Sequence, residues 1–361
     1  MNVTGDLKTV CFFGDYNPEY CRTKILLHGL RECGVHVIEC RADPASRFGK
    51  YWELFKKYRD IRATCDVVIV GFSDTRWMPV FASLIEHKRT IFYDALFSFY
   101  DTYVFDRKRV RAGTLAARWF WFLDWLACSV VDCVLLDTDA NINYFVKTFS
   151  IPRSKFARVF IGVDTDIFSP LPARQAHHDS FTVEYHGKYI PLQGVDTIIH
   201  AAKILEHEQA VRFILIGKGH DYARIRALAE ELSLRNVTFV PFQPVEKLPE
   251  YIRDADVCIG IVGATSRANG AIPNKLYEAA AMRRLSINSD TDAINEVFED
   301  GKNVVLIKGG NAEQLAERIL FLKNNRDALK TMAESAYDTV MHMGIPRKIG
   351  ERLLEVIKQR T

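Results

Sequence analysis

The chain has 361 residues, of which 48% are hydrophobic and 26% charged, and its formal net charge at pH 7 is +3. This length exceeds the usual size of a single hydrophobic core, so two domains are expected in a globular protein. The small net charge gives little support for a polyanionic partner, and no nucleic acid is expected. No apolar run reaches the ~20 residues that would span a bilayer.

The N-terminal sequence MNVTGDLKTVCFFGD lacks the basic-then-apolar layout of a signal peptide, which predicts a cytoplasmic location. The eight cysteines are scattered and form no CxxC pair, which disfavours zinc and dithiol chemistry. Several lie in apolar runs, where we expect buried reduced thiols.

The first half alternates short apolar runs with longer amphipathic ones. The predicted strands are 9–14, 35–40, 66–72, 90–95, 132–138 and 157–163. The predicted helices are 21–33, 47–62, 77–86, 109–130 and 139–149. Nearly continuous apolar strands separated by helices favour a parallel sheet covered on both faces.

The segment SPLPARQAHHDS (169–180) has prolines, histidines and no apolar period, so it is predicted to be a linker. The α/β pattern then restarts. The second set of strands is 181–187, 211–217, 237–241, 256–262, 285–289 and 303–309. Its helices are 194–207, 222–233, 246–255, 274–283, 291–299 and 311–324, followed by 326–341 and 346–358. We expect an N-terminal domain at 1–168 and a C-terminal domain at 181–342, with 343–361 packing back on the N-terminal domain.

The hexapeptide PNKLYE (273–278) has the pattern of a loop that turns into a helix. Pro273 suits the first helical position, and a helix start with open amides attracts phosphate. Lys275 adds a positive charge, and Glu278 could accept hydrogen bonds from a sugar diol. Alone, the hexapeptide is equally compatible with an ordinary surface helix.

In its order of segments, the second half resembles the retaining glycosyltransferases of the GT-B fold, family 4 (the glycosyl transferases group 1 domain). The family's domain-joining segment is similar to KFARVFIGVDTDIFSP, and its phosphate loop to EYHGKYIPLQGVDTIIHAAKIL. Its nucleotide-sugar motif is similar to PNKLYEAAAMRRLSINSDTDAINEVFEDGKNVVLI, in the subgroup with a P-x-K-x-x-E core. The opening FFGDYNPEYCRTKILLHGLRECGVHVIEC also resembles this family. The resemblance implies two doubly wound Rossmann-like domains that face each other across a cleft.

The resemblance also implies a donor site for a nucleotide-diphosphate sugar of the UDP or GDP type. Gln193 stands where many members have a lysine, which leaves Lys188 and Lys275 as the main cations for the diphosphate. Glu278 matches the ribose-binding glutamate, but Gly270 replaces the family's earlier glutamate, so amides of 264–272 would contact the sugar, helped by Arg267 or Asn269. The predicted donor-binding set is Gly187, Lys188, Gln193, Gly194, Asn269, Gly270, Pro273, Lys275, Leu276 and Glu278.

The implied reaction transfers the sugar to an acceptor hydroxyl with retention at the anomeric carbon. Lys188, Lys275 and helix amides would stabilise the leaving diphosphate, and no metal or other cofactor is expected. The three D-x-D tripeptides at 137, 164 and 290 are interpreted as turn and cap residues. For the acceptor side the candidates are Asp94, Asp101 and Arg22, each of which could equally be a cap or an ion-pair partner.

The segment RFGKYWELFKKYRDIR (47–62) is basic and aromatic, which suggests contact with an anionic membrane surface. The run RWFWFLDWL (118–126) is predicted to pack against the sheet. A peripheral enzyme acting on a lipid-linked or cell-envelope saccharide is therefore one hypothesis. Two alternatives stay open: a nucleotide-sugar-binding relative without transfer activity, and a GT-B-fold sugar epimerase.

Overall fold

The structure is a computed structural model that describes residues 7–43, 49–172 and 180–361. The chain divides into two compact units. Unit 1 comprises Met1–Gly162 and Ile345–Thr361, and unit 2 comprises Val163–Gly344. The chain therefore enters unit 2 ahead of the predicted boundary at 168. Most of the predicted linker, 173–179, lies outside the described residues.

Unit 1 contains a six-stranded parallel sheet in the order β2-β1-β3-β4-β5-β6. Its strands are β1 (Thr9–Gly14), β2 (His36–Arg41), β3 (Val67–Val70), β4 (Ile91–Asp94), β5 (Cys133–Leu136) and β6 (Phe156–Arg158). Its helices are α1 (Cys21–Glu32), α2 (Gly49–Ile61), α3 (Trp77–Ile85), α4 (Leu115–Ser129), α5 (Asp139–Phe149) and, from the C-terminus of the chain, α13 (Pro346–Lys358).

Two apolar cores cover the two faces of this sheet. Helices α1 and α13 supply one core, and α2 to α5 supply the other. Gly29 and Gly350 let α1 and α13 approach closely, because a Cβ atom on Gly29 would lie 2.8 Å from the Gly350 nitrogen. The C-terminal helix is thereby held on unit 1.

Unit 2 contains a second six-stranded parallel sheet, in the order β12-β11-β10-β7-β8-β9. Its strands are β7 (Phe181–Lys188), β8 (Val211–Lys218), β9 (Val237–Pro241), β10 (Val257–Ile259), β11 (Leu285–Ser289) and β12 (Val305–Ile307). Its helices are α6 (Val195–Ile204), α7 (Tyr222–Glu231), α8 (Leu248–Asp254), α9 (Asn274–Ala281), α10 (Asp292–Asn295), α11 (Ala312–Asn324) and α12 (Arg326–Met343).

Each predicted strand is present, and the main differences concern helices. Helix α4 begins at Leu115 rather than 109, because Thr114 caps it by accepting a hydrogen bond from the Ala117 amide. The helix predicted at 291–299 is limited to Asp292–Asn295, and a six-residue π-helix at Asp101–Asp106 was not predicted. Within the described residues, no helix combines the length and apolarity needed to cross a membrane.

Candidate active site

The end of β7 forms the first part of the site in unit 2. Gly187 has φ +153°, in the region that favours glycine, and a Cβ atom there would lie 2.9 Å from the Lys275 Nζ. Lys188 follows and is exposed, while the Tyr185 hydroxyl donates to its carbonyl at 2.9 Å. The missing side chain at Gly187 therefore makes room for the Lys275 amine against the backbone.

The loop after β7 touches the loop after β10. Gly194 lies immediately before α6 in the left-handed conformation, with φ +69°. A Cβ atom there would lie 2.6 Å from the Gly263 Cα, so only glycine allows this approach. The Gln193 carbonyl also accepts a hydrogen bond from the Val262 amide at 3.2 Å. These contacts hold the predicted phosphate loop beside the loop that leads to α9.

Lys275 is the central cation of this site and is 7% exposed. Its amine donates to the Gln193 side-chain oxygen and lies 4.7 Å from the centre of the Tyr185 ring. Burial lowers the pKa of Lys275, and the charges of Glu278 and Glu184 offset part of this effect, which leaves the pKa at about 8. Gln193, which stands where the resemblance implies a lysine, therefore accepts a hydrogen bond from Lys275, whereas a lysine would repel it.

A histidine between two glutamates lies beneath this cation. His186 contacts Glu278 through Nε2 at 2.8 Å and Glu184 through Nδ1 at 2.9 Å. Burial lowers the pKa of His186, but the charges of and hydrogen bonds to the two carboxylates outweigh it and raise the pKa to about 9. A protonated imidazole can donate to both carboxylates at once. It would thereby fix the orientation of Glu278, which is 8% exposed.

The start of α9 differs slightly from the prediction. Pro273 is the residue before the helix rather than its first residue, and its carbonyl accepts from the Leu276 amide at 3.0 Å. Asn269 exchanges two hydrogen bonds with Asp292, at 2.7 and 2.9 Å. Its amide therefore supports the start of α10, and its predicted contact with the sugar stays a prediction. Gly270 ends the 3₁₀ turn that precedes α9.

The carboxyl edge of the unit 1 sheet holds the predicted acceptor-side residues. Arg22 and Asp94 form a buried ion pair at 2.6 Å, and Arg22 also donates to the Val159 carbonyl at 2.8 Å. Asp94 Oδ2 and Arg22 Nη2 are buried without a hydrogen-bond partner among the described residues. Burial raises the pKa of Asp94, while Arg22 lowers it, and the net effect is an increase.

Asp137, at the end of the neighbouring strand β5, completes this cluster. Burial raises its pKa to about 6, although Arg22 and a hydrogen bond from Asn141 at 2.8 Å act in the opposite direction. The prediction for this D-x-D tripeptide is a turn and cap role. Thr138 does cap α5 through the Asn141 amide, and Asp139 pairs with Arg158 at 2.6 Å.

Asp101 begins the π-helix that follows β4. The preceding loop is held by Asp124, which accepts from the Ser98 hydroxyl at 2.7 Å and the Tyr100 amide at 2.8 Å. Asp124 in turn pairs with buried Arg76 at 2.7 Å. π-Helical turns occur frequently at functional sites, and this one is fixed from beneath by a buried ion pair.

Sequence reasoning missed Glu184, His186 and Asp137. Glu184 and His186 occupy alternate positions of β7 and are both buried, so they point to the same covered face. Two polar side chains on one face of such a strand are a signal that could have identified this pair. For Asp137 the signal was weaker, because an aspartate after a strand is common in turns.

Comparison with known proteins identifies the domain that contains the unit 2 site. The family model described as "Glycosyl transferases group 1" matches residues 172–339. The similarity to this family covers 168 of the 361 residues, all of them in unit 2. The matched residues include four members of the predicted donor-binding set: Gly187, Lys188, Lys275 and Glu278.

The chain is also similar to curated proteins named as glycosyltransferases and to a solved structure. The chain is 32% identical to the putative colanic acid biosynthesis glycosyl transferase WcaI of Escherichia coli over 27% of this chain and 24% of the relative. It is 27% identical to the putative glycosyltransferase EpsD of Bacillus subtilis over 63% of this chain and 60% of the relative. The crystal structure of Anabaena HepE in complex with UDP covers 98% of this chain and 100% of its own, with a TM-score of 0.73 and 14% identity.

These comparisons support the fold more completely than the activity. The likeness to the solved structure shows that the chain has the GT-B fold, as predicted. The matched segments span from about a quarter to three fifths of the curated relatives.

Proposed function

We propose that the protein is a retaining glycosyltransferase of family 4, in the subgroup with a P-x-K-x-x-E core. It moves a sugar from a nucleotide diphosphate of the UDP type to a hydroxyl of a saccharide or lipid-linked acceptor. The observation that carries this proposal is the position of the Lys275 amine against Gly187 at the carboxyl end of β7, where ligands of open α/β sheets bind. The UDP type is favoured because the similar HepE structure holds UDP.

In this proposal Lys275 and Lys188 neutralise the diphosphate, together with the amides that precede α9. Glu278, oriented by His186, accepts hydrogen bonds from the ribose. Developing charge on the leaving diphosphate is stabilised without a metal ion. On the acceptor side the proposed contact is Asp101, which is partly exposed, while the buried pair of Asp94 and Arg22 supports this edge of the unit 1 sheet.

The proposed acceptor is a cell-envelope or lipid-linked saccharide, as in the polysaccharide biosynthesis named for WcaI. A cytoplasmic enzyme that associates with the inner face of the membrane suits such an acceptor. In the predicted membrane segment 47–62, α2 exposes Trp52 and Phe55, and the Lys56 amine lies 5.1 Å from the centre of the Trp52 ring. Arg47 lies outside the described residues.

A thermal-shift panel of UDP-, GDP- and ADP-sugars tests the donor. A ligand that binds the native state stabilises it by RT ln(1 + [L]/Kd), so we expect UDP-sugars to raise the Tm most. Transfer is then measured with the stabilising donor and an extract of lipid-linked saccharides, with the anomeric configuration of the product read by NMR. Stabilisation without turnover would favour a binding protein, and inversion of configuration would contradict the retaining mechanism.

A further inference from the structure

The outer surface of α3 and α4 carries an unusual number of exposed aromatic side chains. Trp77 is 40% exposed, Trp119 50%, Phe122 37% and Leu115 83%. The Trp77 and Trp119 ring centres are 6.3 Å apart, and Trp119 stacks on Phe122 at 5.8 Å. These four residues form one contiguous apolar surface, which we call the α3–α4 face.

This surface corrects the prediction that RWFWFLDWL (118–126) simply packs against the sheet. Trp121 and Trp125 do pack on the unit 1 core. Trp119 and Phe122, on the same helix, remain exposed, and the Phe122 ring centre lies 5.9 Å from that of Trp125. Soluble proteins rarely expose several large aromatic side chains together unless the surface binds something.

A positively charged segment leads directly into this face. Residues 107–118 contain no acidic residue, and their cations are exposed: Arg107, Lys108, Arg109, Arg111 and Arg118. Helix α3 has no charged residue, and the acidic residue of α4, Asp124, is buried in its ion pair with Arg76. The cations therefore lie next to the start of α4 in the chain, and the acidic residue closest to Trp77 in sequence is the exposed Asp74.

We propose that the α3–α4 face, together with segment 107–118, docks on an anionic lipid bilayer. Indole rings suit the bilayer interface because they combine an apolar body with one N–H donor. Arginine and lysine beside them are attracted to anionic headgroups. All five tryptophans of the chain lie in α2, α3 and α4, on one covering layer of the unit 1 sheet. This inference does not depend on transfer activity, because docking requires neither donor nor acceptor.

Vesicle flotation with the full chain tests the proposal. We expect binding to vesicles of phosphatidylcholine mixed with phosphatidylglycerol, weak binding to phosphatidylcholine alone, and release at high salt. Each cation near the surface contributes about fivefold to partitioning. Replacing the four cations of 107–111 by glutamine should therefore lower partitioning by up to about 600-fold if all four lie near the surface, and by about 25-fold if two do. Equal binding to neutral and anionic vesicles would overturn the proposal.

A matched control removes the same charge elsewhere. Glutamine variants of four exposed lysines should bind as the wild type does: Lys247, Lys308, Lys330 and Lys358. If this variant loses as much binding, only the net charge matters and the α3–α4 face has no special role. Thermal melts of each variant confirm that the chain remains folded.

The apolar part of the surface is tested separately. The double variant Leu115→Ser/Trp119→Ser should reduce binding severalfold, whereas Trp52→Ser/Phe55→Ser on α2 should reduce it less. If only the α2 variant lost vesicle binding, the protein would still associate with membranes, but the proposal that the α3–α4 face docks on them would be wrong. A wild-type chain that does not bind vesicles but self-associates would also overturn the proposal. If Trp119→Ser abolished that self-association, the α3–α4 face would bind a second copy of the chain.

Depth-dependent quenching gives a direct readout at one side chain. Brominated phosphatidylcholine, mixed into the anionic vesicles, should quench tryptophan fluorescence, and Trp119→Phe should remove a clear share of that quenching. Trp121→Phe is the matched control, because Trp121 packs on the core and donates to the Thr148 carbonyl. Equal quenching in Trp119→Phe and the wild type would contradict insertion of this face.

Discussion

The carboxyl edges of the two sheets both hold buried ionic clusters, but the clusters are built differently. In unit 2, Glu184 and His186 come from β7, and Lys275 and Glu278 from the first turns of α9. In unit 1, the cluster of Arg22, Asp94 and Asp137 is assembled from three distant segments. The comparison shows that the same kind of sheet can carry a cluster with equal numbers of cations and carboxylates in unit 2 and a cluster with an excess of carboxylates in unit 1.

The unit 2 cluster should be the more sensitive to loss of its central histidine. His186→Leu leaves two buried carboxylates without their shared cation, which should lower the free energy of unfolding by about 3–5 kcal/mol. Because the pKa of His186 is raised, its contribution is fully present below its unfolded pKa, near 6.5, and is lost as the pH rises through about 9. Urea unfolding at several pH values measures both effects.

The control for this variant is His200→Leu, which removes an exposed histidine of α6 in the same unit. It should change the free energy of unfolding by less than about 0.5 kcal/mol. Equal stability of His186→Leu and the wild type would show that the imidazole does not hold the two carboxylates together.

The unit 1 cluster should respond in the opposite direction when an acid is neutralised. Burial raises the pKa of Asp137 from 3.8 to about 6, so its ionisation destabilises the native state as the pH rises through that window. Asp137→Asn should therefore raise the free energy of unfolding at pH 7 by up to about 3 kcal/mol, with no gain below about pH 4.

The neighbouring variant Asp139→Asn should destabilise slightly, because Asp139 pairs with Arg153 and Arg158 on a partly exposed surface. A loss of stability at pH 7 in Asp137→Asn would contradict the assigned burial penalty. If Asp137→Asn gains stability but loses turnover, the acid is retained for function.

Charge on Lys275 should control donor affinity. Its pKa of about 8 means that the ammonium is lost as the pH rises through that value, and with it a contact worth about 1.5–3 kcal/mol. We expect UDP binding, measured by calorimetry, to weaken by about tenfold or more between neutral and strongly alkaline pH. Lys275→Arg, which stays charged, should lose this dependence, whereas Lys188→Arg should keep it. An identical pH profile in Lys275→Arg would exclude this lysine as the titrating group.

The smallest expected effect concerns the hydrogen bond that orients Lys275. Gln193→Leu removes the side-chain oxygen that accepts from the lysine amine. This bond orients the amine and does not contact the donor, so only part of its roughly 1.5–3 kcal/mol should reach donor binding, and KM for the donor should rise about fivefold with little change in kcat. No change in KM would mean that Gly187 and Tyr185 alone position the amine.

The same comparison explains what the sequence could predict. The strands follow from apolar periodicity, and Lys275 from its place at a predicted helix start, whereas the selection of Gly187 and Gly194 as site residues rests on the resemblance to the family. Glycine and proline mark backbone positions that few other residues can occupy, so they identify loops from the amino-acid sequence alone.

Contacts between distant segments were not predictable in this way. Asp94 was selected for its place at a strand end, but its pairing with Arg22 spans 72 positions and depends on how the sheet brings β4 beside α1. His186 was missed because its partner Glu278 is 92 residues away. Likewise, the periodicity of α4 indicates a helix. Because aromatic residues lie on more than one side of this helix, its sequence does not determine which side packs on the sheet.

The most direct test of the account is equilibrium binding of UDP to the variant Lys188→Met/Lys275→Met, with Lys247→Met/Lys330→Met as the matched loss of two exposed charges. Two charge-assisted contacts predict a loss of affinity of at least about 100-fold in the first variant and almost none in the second. An unchanged Kd in Lys188→Met/Lys275→Met would contradict the claim that these lysines hold the donor diphosphate.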